Sequence, residues 1–472
     1  MPDQEMLVTY RCLYEVLENQ GYSNLVLKQE LNRPDADGNL AERWMRSRVT
    51  ARVYGTITWC ITIDAILQPY LKKDLMGFDG SVRTCLRLGA WEVIFAYREQ
   101  RRFIFGRVNE IVSLASEVCP RGAEKLVNAV LRRVADNEVA ENTDNSEGPV
   151  LHFPEKRLDL RYSLKKEIVG CIVKWYGKDK AEKIMKAYLQ TPGVTLRTNS
   201  LRNDREELLS RLKEEEITVS KDTLLPMALL LSPNDNLVAV TRSQCYKDGC
   251  FSIQSLPAML VGIVSDPKAG WDVLDTCSAP GGKTSHLAEL MQNKGHIDAL
   301  DANAVRLKMV DETAERLGIS IISTIHYDAT YLMEENKLLL PSYDLVLCDV
   351  PCSGLGLLHR KPDIRLRMSY DLIQGLLPIQ ESILENSCHR VKPGGYLVYS
   401  TCTINPDENE NRITAFLDAH PEFTLTAFDG LLPEAIRKNE RLLDQSREGM
   451  MTILPDEEGM DGFFIAKLRR NA

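Results

Sequence analysis

The stretch Trp271-Asp272-Val273-Leu274-Asp275-Thr276-Cys277-Ser278-Ala279-Pro280-Gly281-Gly282-Lys283-Thr284-Ser285-His286 decides the fold. It begins as a short apolar strand, passes Asp275 and enters a turn of small residues. It leaves as a helix expected over 284–291. Such a strand–turn–helix gathers backbone N–H groups and a helix N-terminus at one point. In an open α/β sheet that point is the ligand crevice. Working outward, Ile297 to Leu300, Ile321 to Ile325, Leu345 to Leu347 and Tyr396 to Tyr399 read as further strands separated by helical stretches. That alternation predicts a parallel sheet with crossover helices, a Rossmann-like α/β domain.

The turn excludes two common ligands. A P-loop needs Gly where Cys277 stands, and the dinucleotide G-x-G-x-x-G pattern is absent. Gly281 and Gly282 allow close approach to the backbone, and Pro280 stiffens the turn. Asp301 closes the next strand about twenty positions after Gly281, where a carboxylate can accept ribose hydroxyls. Asp328, in Tyr327-Asp328-Ala329, ends the third strand and is placed for an adenine amino group. A nucleoside without a polyphosphate cradle suits S-adenosylmethionine.

Two further strand ends carry thiols. Asp349-Val350-Pro351-Cys352-Ser353-Gly354 follows one strand, and Tyr399-Ser400-Thr401-Cys402-Thr403 ends another. An isolated Cys is usually a buried small hydrophobe, but a pair at neighbouring strand ends on the ligand side favours function. C5 of a pyrimidine is a poor nucleophile; a thiolate adding to C6 makes C5 enamine-like and able to attack a sulfonium methyl. Asp349 is placed to bond the base at N3 and its exocyclic amine and to protonate N3, which requires a raised carboxyl pKa or a shared proton. A second thiol can assist release of the product.

The rest of the 472-residue chain divides by pattern. Residues 1–138 read as an all-α domain of about six or seven helices. Basic residues cluster late in it, at Arg98, Arg101, Arg102, Arg107, Arg132 and Arg133. Residues 139–157 read as a linker, with Glu138 to Val150 polar and acidic. Residues 158–236 form a small α+β connecting subdomain, in which Val194 to Asn199 reads as a strand and Asp204 to Glu216 as a capped helix. Asn199 and Arg202 there are as consistent with a ligand contact as with a surface turn. Residues 237–472 make the α/β domain.

The net charge of −9 gives no whole-surface attraction to nucleic acid, but leaves room for a local basic groove. His359 to Arg367 is such a segment, and Arg360, Lys361, Arg365 and Arg367 are expected to meet RNA phosphates. The 12 cysteines include no C-x-x-C and no Cys/His cluster, so neither a disulfide framework nor a metal is expected. Met1 to Gln20 has no signal-peptide core and no apolar run reaches a membrane span, so a cytoplasmic protein with no membrane contact is expected.

Ala279 to Thr284, Asp349 to Gly354 and Ser400-Thr401-Cys402 together resemble the motifs of the RNA 5-methylcytosine methyltransferases. The resemblance implies that Cys402 is the nucleophile and Cys352 the product-release thiol. It also implies that Cys277, Ser278, Ala279, Pro280, Gly281, Gly282, Lys283, Asp301, Asp328 and Asp349 hold S-adenosylmethionine. Val350 stands where the family usually has Ala. Val53-Tyr54-Gly55, Val108-Asn109-Glu110 and Leu126 to Arg133 are similar to the NusB-like helical RNA-binding domain. Leu196 to Asn199 and Gly249 to Gln254 look like the family's connecting region. The whole pattern is similar to the bacterial RsmB-type branch of the RsmB/NOP family, which implies methylation of small-subunit (16S) ribosomal RNA at cytosine C5 by a monomer. The alternatives weighed are a non-catalytic RNA-binding or antitermination factor, disfavoured by the paired thiols; an amino-methyltransferase, disfavoured by Cys352 in place of proline; and a nucleotide-dependent oxidoreductase, disfavoured by the missing glycine pattern.

Overall fold

A computed structural model describes residues 3–33, 43–95, 104–138, 156–191, 193–232, 235, 237–333, 337–456 and 459–472. Arg98, Arg101, Arg102 and nearly all of the acidic linker therefore lie outside the described residues. Contacts divide the chain into two units: Met1–Gln190 with Leu358–Ser369, and Thr191–Leu357 with Tyr370–Ala472.

The first unit is helical. Its helices are α1 (Gln4–Leu17), α2 (Ser23–Leu31), α3 (Arg43–Thr58), α4 (Cys60–Leu67), α5 (Gly80–Ile94), α6 (Ile104–Val118), α7 (Ala123–Glu138), α8 (Leu158–Arg161), α9 (Lys166–Tyr176) and α10 (Lys178–Ala187). Apolar residues at helical spacing, among them Leu13, Val53, Ile57, Leu86, Ile111 and Leu131, form one buried core. The close approach of α3 to α5 depends on Gly55, where a Cβ would overlap the indole of Trp91. Arg52 is buried between Glu5 of α1 and Glu92 of α5 and is paired with both.

The segment Leu358–Ser369 belongs to this helical unit although its neighbours in sequence belong to the other. Its Asp363 accepts a 2.5 Å hydrogen bond from Ser23 Oγ. Its short helix Ile364–Arg367 brings Leu366 against the unit's core.

The second unit holds two sheets. The smaller one comprises β1 (Thr195–Thr198), β2 (Val219–Lys221), β3 (Ala228–Leu231) and β4 (Phe251–Ile253), antiparallel in the order β2-β3-β1-β4. The helix α11 (Arg205–Glu214) is capped by Asp204, which accepts from Glu207 N. Two short helices, α12 (Leu237–Arg242) and α13 (Gln244–Lys247), precede β4.

After α14 (Leu256–Ser265) comes the large sheet: β5 (Asp272–Asp275), β6 (His296–Asp301), β7 (Ile322–His326), β8 (Tyr343–Asp349) and β9 (Val391–Thr401), all parallel, with α15 (Gly282–Leu290) and α16 (Ala304–Leu317) as crossovers. Three antiparallel strands that the sequence pattern did not announce complete it: β10 (Phe423–Leu425), β11 (Met450–Ile453) and β12 (Phe463–Arg470). The order is β10-β12-β9-β8-β5-β6-β7, with β11 also on β12. Alternate residues of each central strand enter opposite cores: Val273, Leu345, Val398 and Ile465 on one face, Leu274, Val346, Leu397 and Phe464 on the other. A sheet buried on both faces shows water only its edges and strand ends. The chain reverses strand order between β5 and β8, which opens the crevice at their carboxyl ends.

Candidate active site

The turn after β5 sits at that crevice. Gly281 caps α15 with a left-handed φ of 99°, and a Cβ there would stand 3.1 Å from Val310 Cα. Ser278 N and Oγ both donate to Leu300 O, at 2.7 and 2.9 Å, which locks the turn to the end of β6. Asp301 at that end accepts from Ala279 N at 3.2 Å and Asn303 N at 2.8 Å. Each of its oxygens keeps a second lone-pair direction for a ligand hydroxyl. Asp328 accepts from Thr330 N and Oγ1 on Oδ1. The turn, with Gly281 buried and Gly282 half-buried, lies beside these strand-end carboxylates, and that donor set fits the methyl donor expected from the sequence.

Asp275 points inward. It is buried, accepts 2.7 Å from Thr284 Oγ1, and burial together with the nearby Asp349 charge raises its pKa to about 7. Cys277 is likewise pushed well above the ordinary thiol range by burial. It is a wall residue that keeps its proton.

Asp349, at the end of β8, accepts 2.6 Å from Lys283 Nζ on one oxygen and 2.7 Å from Ser400 Oγ on the other. Burial opposes the charge on Lys283, but Asp349, Cys402 and Asp275 outweigh it and hold its pKa above the usual lysine value. Asp349 is thus ion-paired. The proton near Asp349 is the one on Lys283.

The sequence pattern's two thiols meet. Cys352 Sγ and Cys402 Sγ are 3.3 Å apart. The hydrogen bond to Cys402 and burial push the Cys352 thiol well above its ordinary range. The two sulfurs share this hydrogen bond, and Cys402 is one of the groups whose charge favours the Lys283 ammonium.

One buried carboxylate, Glu408, joins the two thiol loops. It accepts from Ser353 N at 2.8 Å, Ser353 Oγ at 2.5 Å, Gln380 Nε2 at 2.9 Å and Asn405 Nδ2 at 3.0 Å. Ser353 Oγ also meets Thr403 Oγ1 at 2.7 Å. Glu408 lies in the polar run Pro406-Asp407-Glu408-Asn409-Glu410-Asn411 that follows Cys402.

The basic segment departs from expectation. Arg365 is 2% exposed, and its guanidinium donates to the carbonyls of Tyr162 at 2.9 Å and Tyr188 at 2.5 Å. Burial lowers its pKa to about 10, with Tyr188 opposing the shift. It is a bolt inside the helical unit and cannot meet phosphate. Arg367 donates to Gly21 O and lies 4.1 Å over the Tyr22 ring, so it too is engaged in that unit. Arg360 is half-buried and Lys361 exposed.

Asn199 is buried and donates to Gly249 O and Leu317 O, which settles it as a structural turn. Arg202 donates to Leu317 O and lines an open cleft of about 610 Å³ with Lys247, Asp248, Glu312, Glu315 and Arg316, away from the thiols. Glu385, Cys388 and His389 bring ligand-type atoms within 4.8 Å of one another, but as a bonded cluster in which Cys388 donates to Glu385 O and His420 meets Glu385 at 2.8 Å.

Comparison with known proteins agrees with this geometry. Residues 262–469 match the family model for 16S rRNA methyltransferase RsmB/F, residues 4–136 the NusB family, and residues 168–237 the ferredoxin-like domain of RsmF/B-like methyltransferases. The probable ribosomal RNA small subunit methyltransferase B of Bacillus subtilis (strain 168) is 35% identical over 98% of both chains. The chain belongs to the RsmB/F family of ribosomal RNA methyltransferases. A second RsmB/F relative, from Synechocystis sp., is 33% identical over 89% of this chain and 90% of its own. The crystal structure of PH0851 superposes with a TM-score of 0.79 at 25% identity, covering 100% of each chain. As an RsmB/F methyltransferase the protein uses S-adenosylmethionine.

Proposed function

We propose that the protein methylates C5 of a cytosine in small-subunit (16S) ribosomal RNA through a covalent adduct between Cys402 and C6 of the base. The observation that carries this reading is the pair of thiols 3.3 Å apart beside the Lys283–Asp349 ion pair. S-adenosylmethionine supplies the electrophilic methyl group when bound. Cys402 Sγ adds to C6, and the electron pair of the 5,6 double bond becomes available at C5 for the new carbon–carbon bond. Asp349 accepts from the exocyclic amine of the base, while the Lys283 proton beside it offsets the charge that develops at N3. Solvent water takes the C5 proton, the C–H electron pair reforms the 5,6 double bond, and Cys402 leaves C6 as a thiolate that accepts a hydrogen bond from the protonated Cys352 beside it.

The base must leave any stack for a thiol to reach C6. The half-buried Arg360 and exposed Lys361 are the residues of the 358–369 segment that would approach phosphates; the exposed Arg132 and Arg133 offer a second contact. Among the described residues no helix is long and apolar enough to cross a membrane, and a cytoplasmic monomer fits the reading.

Cys402→Ala should abolish turnover. Cys352→Ala should accumulate a protein–RNA band that survives a denaturing gel. Normal methylation by the first variant, or normal product with no adduct in the second, would remove the assigned roles. Bisulfite sequencing of ribosomal RNA from a deletion strain should lose one protected cytosine.

A further inference from the structure

Arg197, on β1 of the small sheet, is fully buried, and none of the site residues read from the sequence includes it. Its charge is balanced by Glu289 of α15, which it meets at 3.1 Å through Nε and 2.6 Å through Nη2. Charge balance needs only those two bonds. The remaining donors go elsewhere: Nη1 to Gly282 O at 2.8 Å and to Gln254 Oε1, Nη2 to Ser285 Oγ at 3.1 Å. Gln254, just past β4, donates to the same Gly282 carbonyl at 3.2 Å. Two side chains from the small sheet thus hold one backbone carbonyl of the methyl-donor turn.

That carbonyl sits at a sensitive place. Gly282 follows Gly281, whose left-handed φ brings backbone toward the ligand crevice, and precedes Lys283, whose Nζ pairs with Asp349. Neither glycine has a side chain to anchor it, so beyond the Ser278–Leu300 bonds and the first turn of α15, contacts to their backbone limit the loop's freedom. A planar guanidinium with several fixed donors does this better than a flexible ammonium.

We propose that Arg197 is a positioning residue for S-adenosylmethionine: by fixing the Gly282 carbonyl it preorganises the Gly281 turn and the stem of Lys283, and so sets cofactor affinity. This rests on the methyl-donor role of the turn and not on which base atom is methylated. The small ferredoxin-like sheet is then part of the cofactor site, although it supplies no residue that touches the cofactor.

The test separates positioning from packing. Arg197→Met alone should lose both thermal stability and cofactor affinity. Arg197→Met combined with Glu289→Met removes the buried charges together, and should regain most of the lost Tm because no uncompensated carboxylate remains. Calorimetric titration of the full-length double variant with S-adenosylmethionine should still give a Kd at least tenfold weaker than wild type, with RNA affinity unchanged. A wild-type cofactor Kd in the refolded double variant would overturn the proposal. Should the double variant stay unstable, Arg197→Lys, measured well below its own Tm, decides in the same way: it keeps the charge but cannot span Glu289, Gln254 and Gly282. Cys402→Ala should bind the cofactor normally, so failure of the cysteine mechanism and failure of this proposal give different results.

Discussion

Asp275 and Asp349 end neighbouring strands of one sheet, yet they meet opposite environments. Asp349 has an ammonium at 2.6 Å, whereas Asp275 is 1% exposed and has only a hydroxyl and a backbone N–H. Burial therefore wins at Asp275 and lifts its pKa from 3.8 to about 7. Because the folded state holds that proton more tightly than the unfolded chain, the group favours folding fully below about pH 4 and loses that contribution as pH rises through 7. We expect urea unfolding to show stability falling between about pH 4 and pH 7, and Asp275→Asn to remove on the order of 2–4 kcal/mol of that fall. Parallel pH profiles for wild type and variant would count against the assignment.

At the scale of elements, the thiols are brought together by two loops that leave adjacent parallel strands, β8 and β9. Glu408 satisfies four donors from three segments, which holds those loops at one separation. Glu408→Gln turns one acceptor oxygen into a donor facing other donors. It should cost about 2–3 kcal/mol of stability and lower single-turnover methylation by roughly 10- to 100-fold. Stopped reactions at saturating cofactor and RNA would measure it; an unchanged rate would show that the loops hold their geometry without it. The same elements show what the sequence could reveal. The β5–α15 turn, Asp349 to Gly354 and Thr401-Cys402 were readable because each carries its chemistry in consecutive residues at a strand end. The strand β12 was not: Phe463 to Leu468 is buried on both faces, with Lys467 among them donating to Val264 O, so no period-two alternation marks it. Arg197 was hidden for a related reason. Its partners at Gly282, Ser285 and Glu289 lie more than eighty positions along the chain, and local pattern carries no trace of them.

At the scale of the whole molecule, the two units are interleaved in sequence: the helical one takes back twelve residues, Leu358–Ser369, from the middle of the catalytic region. Charge alone made these residues look like a phosphate-binding loop. Burial is not legible from charge, and the carbonyls that engage Arg365 come from residues 162, 163 and 188. Arg365→Met should leave those carbonyls without their donor and weaken the helical unit by about 2–4 kcal/mol. Hydrogen exchange should then speed up in α8 to α10 while β5 and α15 keep their protection. Equal acceleration in both regions would mean that the residue supports more than its own unit.

The interleaving also bears on how such a protein can be inherited. A module joined end to end can be gained, lost or exchanged with one recombination event at its border. Here the helical unit is encoded in two places, the first 190 codons and a short insert behind the Cys352 loop. Replacing the amino-terminal half with that of a distant relative would pair a new Ser23, Tyr162 and Tyr188 environment with an old Asp363 and Arg365. Lineages that recombine within this gene should therefore be found to keep the two coding stretches from one parent, or to have reverted the mismatch in the insert.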